Sequence, residues 1–230
     1  MKEIEIIETE QKLYDAFNDF IMSSDTKVFG KLLARSLLFE EVKNLPGDIV
    51  ECGVFKGSGL LTFLKLKRYF CPNTYKKVIG FDAFDTKVLI DGLHDNIDKQ
   101  TMISLFKDRG FQHDQSFKEL LEKKILSYGF QEHEFNLIKG DISFTAQDFV
   151  NKNPGFKISL LYFDLDLEEP TYDALCALWD RVSKNGLVVF DEYAYSKWSE
   201  SKGVDKFFKD KNVDIVSLNY ICPTAYVKKI

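Results

Sequence analysis

Residues 158–166 (ISLLYFDLD) and 186–192 (GLVVFDE) decide the fold of this chain, because each is a short apolar run that ends abruptly in carboxylates. A run of this length with almost no polar interruption is typical of a strand that is buried on both faces of a parallel sheet. Two such strands close together in the sequence predict an α/β protein in which helices cover both faces of the sheet.

Four acidic side chains end these two runs. Asp164 and Asp166 end the first, and Asp191 and Glu192 end the second. Ligands of open α/β sheets bind outside the carboxyl ends of the strands, so neighbouring strands would bring these acids to one edge. Asp164 and Asp166 are two residues apart and would point the same way in an extended chain. Clustered carboxylates repel one another unless a cation lies between them, which predicts a divalent metal such as Mg²⁺.

A glycine-rich turn follows the first predicted strand. Residues 48–59 (DIVECGVFKGSG) run from that strand into the turn, and residues 60–67 (LLTFLKLK) are predicted to be helical. The glycines have neither the spacing of a dinucleotide fingerprint nor that of a phosphate-binding P-loop. Glu51, just before the turn, suits a positively charged ligand, and Asp82, at the end of the next apolar run, suits ribose hydroxyls. These features together predict S-adenosylmethionine (SAM) as the cofactor.

The candidate cofactor-binding residues lie in this turn and after the next three strands. They are Glu51, Cys52, Gly53, Gly57, Ser58, Asp82, Ala83, Phe84, Asp141, Ile142 and Asp164. For Asp141, contact with the adenine amino group and a helix-capping role are equally compatible with the sequence.

Four ordered motifs resemble those of the macrocin O-methyltransferase (TylF-like) family. The resemblance spans residues 45–230, and the motifs are residues 46–54 (PGDIVECGV), 80–84 (GFDAF), 163–175 (FDLDLEEPTYDAL) and 189–193 (VFDEY). It implies a class I, Mg²⁺-dependent methyltransferase that acts mainly on sugar hydroxyls. By position in the motifs, it also implies that Asp164, Asp191 and Glu192 hold the metal and that Asp166 is the catalytic base. The family usually has an aspartate at the position of Glu192, and an aromatic residue where this chain has Gly140-Asp141-Ile142.

Strands and helices alternate along the chain, which predicts βαβ units and a parallel sheet. The last two apolar segments, residues 213–218 and 225–230, are too close for a parallel crossover and are expected to form an antiparallel hairpin. The predicted fold is therefore a Rossmann-like, seven-stranded and mostly parallel methyltransferase sheet. The five parallel strands are expected near residues 48–53, 77–82, 135–139, 158–164 and 186–191.

The sequence divides into an N-terminal helical segment, residues 1–45, and a methyltransferase domain, residues 46–230. Two helices are expected within residues 9–43, and Asp25 or Thr26 is expected to cap the second. Residues 86–134 form a long charged insertion, which is typical of an active-site lid. A helix is expected there near residues 117–128. The insertion also holds His94, His113 and His133, which are too scattered for a zinc site.

Composition narrows the class of partner. The chain has 230 residues, a net charge of −5 and no strong basic cluster, which argues against nucleic acid as its main binding partner. No apolar run approaches the length of a membrane span, and the first residues are too polar for a signal peptide. The four cysteines form no C-x-x-C pair, which predicts buried free thiols in the cytoplasm; they are Cys52, Cys71, Cys176 and Cys222.

The sequence thus predicts a SAM- and Mg²⁺-dependent O-methyltransferase for a small-molecule hydroxyl, favoured to be a sugar or sugar nucleotide, and leaves a homo-oligomer open. Trp198 is expected to wall the acceptor pocket and Trp179 to lie in the core. A catechol-like phenol acceptor and a catalytically inactive SAM-binding protein stay open as alternatives. A nicotinamide-dependent oxidoreductase is disfavoured because G-x-G-x-x-G is missing.

Overall fold

The computed structural model describes residues 2–108 and 118–230, which form an α/β fold around one seven-stranded sheet. In chain order, the strands are β1 (Asp48–Cys52), β2 (Val78–Asp82), β3 (Phe135–Lys139), β4 (Ile158–Phe163), β5 (Val182–Phe190), β6 (Val216–Ser217) and β7 (Ala225–Lys228). The spatial order is β3-β2-β1-β4-β5-β7-β6. The first five strands are parallel, and β7 runs antiparallel to both β5 and β6. This architecture confirms the predicted fold class and the C-terminal antiparallel hairpin.

The helices connect the strands and lie on both faces of the sheet. They are α1 (Lys2–Met22), α2 (Thr26–Val42), α3 (Ser58–Phe70), α4 (Thr86–Gly92), α5 (Asn96–Asp108), α6 (Lys118–Ser127), α7 (Ile142–Lys152), α8 (Glu168–Leu178) and α9 (Glu200–Phe208). Asp25 caps α2, as predicted, because its side chain accepts a hydrogen bond from Val28 N at 2.8 Å. Among the described residues, no helix is both long and apolar enough to span a membrane.

The central strand β4 is completely buried and divides the core into two halves. Leu160 and Tyr162 pack toward α2, α3 and α6, whereas Leu161 and Phe163 pack toward α7, α8 and α9. This alternation follows from the two-residue period of a strand. It explains why the run contains no polar position that could face solvent.

The register of the central strands brings their carboxyl ends level. Phe163 pairs with Cys52 of β1 on one side and with Phe190 of β5 on the other. The ladder continues one residue further, since Asp164 N donates to Cys52 O at 2.8 Å and Asp191 N donates to Phe163 O at 3.0 Å. The two predicted metal-ligand segments therefore leave the sheet side by side.

Several boundaries differ from the predictions. β5 begins at Val182 rather than near residue 186, and β6 is reduced to two residues. Cys176 is exposed, so the expectation of a buried thiol is wrong for it, although the other three cysteines are buried. α6 corresponds to the helix expected at residues 117–128, while His113 lies outside the described residues.

Candidate active site

A cavity of about 1040 Å³ lies at the carboxyl edge of the sheet. Its walls come from the loops after β1, β2, β3, β4 and β5, from α2, and from the inner side of α4 and α5. Sites for one small molecule usually occupy about 300–1,000 Å³, so this cavity has room for a cofactor beside a small acceptor. Trp198 lies on its wall, at the place predicted for an acceptor-pocket aromatic.

The glycine turn brings β1 unusually close to β4. Gly53 has φ +92°, and a Cβ added there would lie 2.0 Å from the carbonyl oxygen of Asp164. Gly59, in the first turn of α3, lets the Glu51 side chain approach the helix backbone. A Cβ added at Gly59 would lie 1.8 Å from Glu51 Oε1. Gly53 therefore requires glycine for the backbone approach, whereas the missing Cβ of Gly59 leaves the space in which Glu51 lies under α3.

Glu51 is the buried acid of this turn, with only 1% of its surface exposed. Its Oε1 lies 3.4 Å from Arg35 Nη2, whereas Oε2 has no hydrogen-bond partner among the described residues. Burial raises the pKa of Glu51 to about 8, against the opposing charge of Arg35. A buried carboxylate oxygen with acceptor capacity fits the ammonium group of a cofactor such as SAM.

Asp82 shapes the turn through hydrogen bonds to the backbone. Its Oδ2 accepts from Val54 N at 2.8 Å and from Phe55 N at 2.9 Å, and its Oδ1 accepts from Phe84 N at 2.6 Å. Burial raises the pKa of Asp82, although these three donors oppose the shift. Asp82 thus holds two cavity loops together, and its contact with a ribose stays a prediction.

Most predicted cofactor-binding residues lie on the cavity wall, and three do not. Cys52 and Phe84 are fully buried in the core, and Gly57 faces Leu121 instead. Cys52 follows Glu51 on a strand, so its side chain points to the opposite face of the sheet. Asp141 lines the cavity and also caps α7, since it accepts from Ser143 N at 2.9 Å. The predicted residues on the wall are Glu51, Gly53, Ser58, Asp82, Ala83, Asp141, Ile142 and Asp164.

The predicted metal ligands are paired with lysines, and two of them, Asp164 and Asp191, share Lys31. Asp191 is fully buried; its Oδ1 accepts from the Tyr162 hydroxyl at 2.6 Å, and its Oδ2 lies 2.6 Å from Lys31 Nζ. The same Nζ lies 3.1 Å from Asp164 Oδ2. Lys31 therefore lies between the two aspartates in this arrangement.

Glu192, the third predicted ligand, is held from several sides. Its Oε1 lies 3.3 Å from Lys27 Nζ, and its backbone N–H donates to Glu200 Oε1 at 3.0 Å. The Cys222 thiol donates to Glu192 Oε1 at 3.5 Å. One ligand atom each from Asp191, Glu192 and Cys222 lies within 4.8 Å of the others, and the carboxylate oxygens match the hard donors that Mg²⁺ prefers.

Two acids of the cluster, Asp164 and Asp166, have raised pKa values. Burial and the neighbouring Asp191 charge raise the pKa of Asp164 to about 6. Burial raises the pKa of Asp166 to about 8, with a further contribution from Asp164. Burial lowers the pKa of Lys31, but Asp164 and Asp191 outweigh this effect and the net shift is upward. The repulsion among the neighbouring acids is the part of these shifts that a nearby cation would offset.

The backbone at Asp166 differs from the extended conformation that the sequence predicts. β4 ends at Phe163, and Asp166 has φ +65°, in the left-handed region. The extended chain that was assumed to align Asp164 with Asp166 is therefore wrong. Asp166 O instead accepts from Glu200 N at 3.1 Å, which fixes the loop, and the residue lies on the cavity wall.

Three basic residues of the site were missed by the sequence analysis. Lys27, Lys31 and Arg35 recur every four residues along α2, so they share one face of the helix. This spacing was visible in the sequence, but charged helix faces usually point to solvent. Only the structure shows that this face meets the acids at the end of the sheet.

Comparison with known proteins places the chain in a family. The macrocin-O-methyltransferase (TylF) family matches residues 34–225. The chain belongs to this family. The match confirms the resemblance that the motifs indicated. A curated relative from Streptomyces olivaceus, an 8-demethyl-8-(2,3-dimethoxy-alpha-L-rhamnosyl)-tetracenomycin-C 4'-O-methyltransferase, is 26% identical over 153 residues. These residues are 65% of this chain and 54% of the relative, so the chain spans about half the length of that protein.

Solved structures of methyltransferases have the same architecture. CalS11, described as a TDP-rhamnose 3'-O-methyltransferase of calicheamicin biosynthesis, matches with a TM-score of 0.64 and 28% identity. The match covers 86% of this chain and 77% of CalS11. The O-methyltransferase NovP matches with a TM-score of 0.71 and 21% identity, over 87% of this chain and 79% of NovP. At this identity, NovP supports the fold alone.

Proposed function

We propose that this protein is a SAM- and Mg²⁺-dependent O-methyltransferase that methylates a hydroxyl of a sugar or a sugar nucleotide. The observation that carries the proposal is a single cavity joining the glycine turn and Glu51 to the carboxylate cluster. Family membership supports the methyl transfer. The Streptomyces relative, a rhamnosyl-tetracenomycin 4'-O-methyltransferase, and CalS11, a TDP-rhamnose 3'-O-methyltransferase, support a sugar acceptor.

The residues of the glycine turn would hold the cofactor. Glu51 would accept from the ammonium group of SAM, Asp82 from its ribose, and the Asp141–Ile142 backbone would lie against its adenine. SAM supplies an electrophilic methyl group on its sulfonium. The protein's contribution is to fix this group beside the acceptor, since holding two reactants in line replaces an encounter in solution.

The carboxylates would hold the metal and manage the proton. Asp164, Asp191 and Glu192 offer the oxygen donors for Mg²⁺, and the metal supplies Lewis acidity that lowers the pKa of an acceptor hydroxyl. Asp166 lies on the same wall of the cavity and would take the hydroxyl proton. Tyr162 keeps Asp191 in one orientation through its 2.6 Å hydrogen bond.

Helices α4 and α5 would act as the cover of the site. Ile90 of α4 and Met102 and Phe106 of α5 are buried and form an apolar cluster with Leu167, against which Trp198 packs. Ser199 Oγ donates to Asp98 Oδ2 at 2.6 Å and links the same segment to the loop after β5. Such a cover would exclude water from the transferring methyl group.

The first experiment tests cofactor class and acceptor together. Calorimetric titration should show S-adenosylhomocysteine binding and no comparable binding of NAD. Transfer of a labelled methyl group from SAM should then be measured with sugars, nucleotide sugars and glycosides, and with catechol. Transfer to a sugar hydroxyl that stops with a chelator and returns with Mg²⁺ is expected. Full transfer in chelator would reject the metal mechanism, and transfer to catechol alone would select the phenol alternative.

The second experiment tests the base. Asp166→Asn keeps the shape of the side chain but removes the proton acceptor, so turnover should fall by about 10²- to 10⁴-fold. S-adenosylhomocysteine affinity should stay within about twofold of the parent value, because in the proposed arrangement Asp166 contacts neither end of the cofactor. Normal turnover of this variant would assign the proton to another group.

A further inference from the structure

The basic face of α2 contacts the acids at the carboxyl edge of the sheet. Lys27 lies 3.3 Å from Glu192, and Lys31 lies within 3.1 Å of both Asp164 and Asp191. One turn further, Arg35 Nη2 lies 3.4 Å from Glu51 Oε1 at the glycine turn and 3.7 Å from Asp164 Oδ2. All three basic residues thus contact carboxylates assigned to the metal, and Lys31 is the one that contacts two of them.

Lys31 occupies the central position of this set. Its Nζ is 2.6 Å from Asp191 Oδ2 and 3.1 Å from Asp164 Oδ2. Asp164 and Asp191 would offer the same oxygens to Mg²⁺, which binds its oxygen ligands at short distances. An ammonium and a divalent cation cannot both lie so close to the same oxygens, because like charges at that separation repel strongly.

The placement of Lys31 is set by the fold. On the following turns of α2, Ala34, Leu38 and Phe39 are buried against the sheet and orient the helix. The lysine side chain itself is only 21% exposed. Its flexible four-carbon stem nevertheless allows the ammonium to withdraw while the helix stays in place.

We propose that Lys31 is a built-in competitor of the metal, which holds Asp164 and Asp191 together before the ion binds and must leave them when it does. This inference rests on the proposed metal dependence. It makes Lys31 a determinant of metal affinity: the protein binds the ion more weakly than its carboxylates alone would. The competitor also prevents the aspartates from repelling each other in the metal-free protein.

Calorimetric titration of Mn²⁺ or Mg²⁺ into the 230-residue protein tests the inference without an acceptor. Lys31→Met and Lys31→Gln both remove the positive charge. Glutamine can still donate a hydrogen bond to the aspartates, so the second variant serves if the methionine variant folds poorly. Both variants should bind the metal at least about tenfold more tightly than the parent protein, since close charge pairs typically couple by more than that factor. Lys65→Met, on an exposed position of α3, makes the same change in net charge and should leave the affinity unchanged.

The outcomes separate the inference from the function on which it rests. Equal or weaker metal binding by both Lys31 variants, with a parent protein that binds Mg²⁺ and needs it for turnover, would overturn the competition and leave the proposed function intact. Equal tightening in Lys65→Met would also overturn it, because net charge alone would explain the effect. Absence of metal binding in every variant would overturn both proposals.

Discussion

The hydrogen bond between Tyr162 and Asp191 should contribute strongly to stability, and Tyr162→Phe isolates it. The hydroxyl donates to Asp191 Oδ1 at 2.6 Å, and both side chains are fully buried. Phenylalanine keeps the ring contacts, which are an edge contact with Phe63 at 5.8 Å and the Arg35 guanidinium at 4.9 Å. The variant therefore removes one hydrogen bond and little packing.

The magnitude follows from the burial and charge of the acceptor. A hydrogen bond to a charged group contributes about 1.5–3 kcal/mol to the free energy of unfolding. Loss of a whole buried ion pair costs about 3–5 kcal/mol, but Asp191 keeps Lys31 at 2.6 Å and stays neutralised. The expected loss is therefore about 1.5–3 kcal/mol, or about 3–12 °C in the melting temperature of a chain of this size.

Urea unfolding and thermal melting at neutral pH measure this loss, and Tyr193→Phe is the matched control. The Tyr193 hydroxyl also donates to an aspartate, Asp205 at 2.8 Å, but this hydrogen bond is exposed. Its removal should change stability by less than about 0.5 kcal/mol. If Tyr162→Phe costs no more than Tyr193→Phe, then burial does not strengthen the Asp191 contact and the argument is wrong.

Three further changes have defined outcomes. Gly59→Ala should weaken S-adenosylhomocysteine binding about tenfold or more, as seen by calorimetry, because the new methyl group would displace Glu51. Asp82→Ala should lower stability by about 2–3 kcal/mol in urea unfolding and weaken the same binding, since three backbone donors lose their acceptor. Burial lowers the pKa of Lys76 from 10.5 to about 8, so its contribution to stability should increase as pH rises through that interval. The stability of the parent protein relative to Lys76→Met should rise by up to about 3 kcal/mol between those pH values, and a flat difference would contradict the assignment.

The fold could be predicted because its strongest signals are local. The runs of β4 and β5 are apolar on both faces and end at carboxylates, which is what burial between two helical layers requires. The start of β5 was missed for the same reason. Ser183 and Lys184 are polar and not buried, so this part of the strand does not have the pattern of a fully covered one.

The site was only partly predictable from the sequence. Its acids end apolar strands, which the sequence shows, whereas its basic residues lie on a helix whose position the sequence does not show. Asp164 and Asp191 come together through the register of β4 and β5. Cys222 approaches Glu192 from a distant loop, and no local pattern indicates this contact. Cys52 was predicted to contact the cofactor because it lies between Glu51 and Gly53 in the sequence. Side chains alternate along a strand, so the Cys52 side chain points into the core instead.

The helix before the first strand links the core of the protein to the charge of its site. Leu38, Phe39 and Val42 of α2 lie in the same apolar cluster as residues of β1 and β4, so the core includes this helix as well as the sheet. One face of α2 supplies this packing and another supplies Lys31 and Arg35 to the acids. The position of these cations is thus fixed by apolar packing two turns away. A core substitution such as Phe39→Ala is expected to lower the free energy of unfolding by about 3–5 kcal/mol. Because it disturbs the packing that positions Lys31 and Arg35, it should also change metal affinity. A site built only from strand-end carboxylates would not show this second effect.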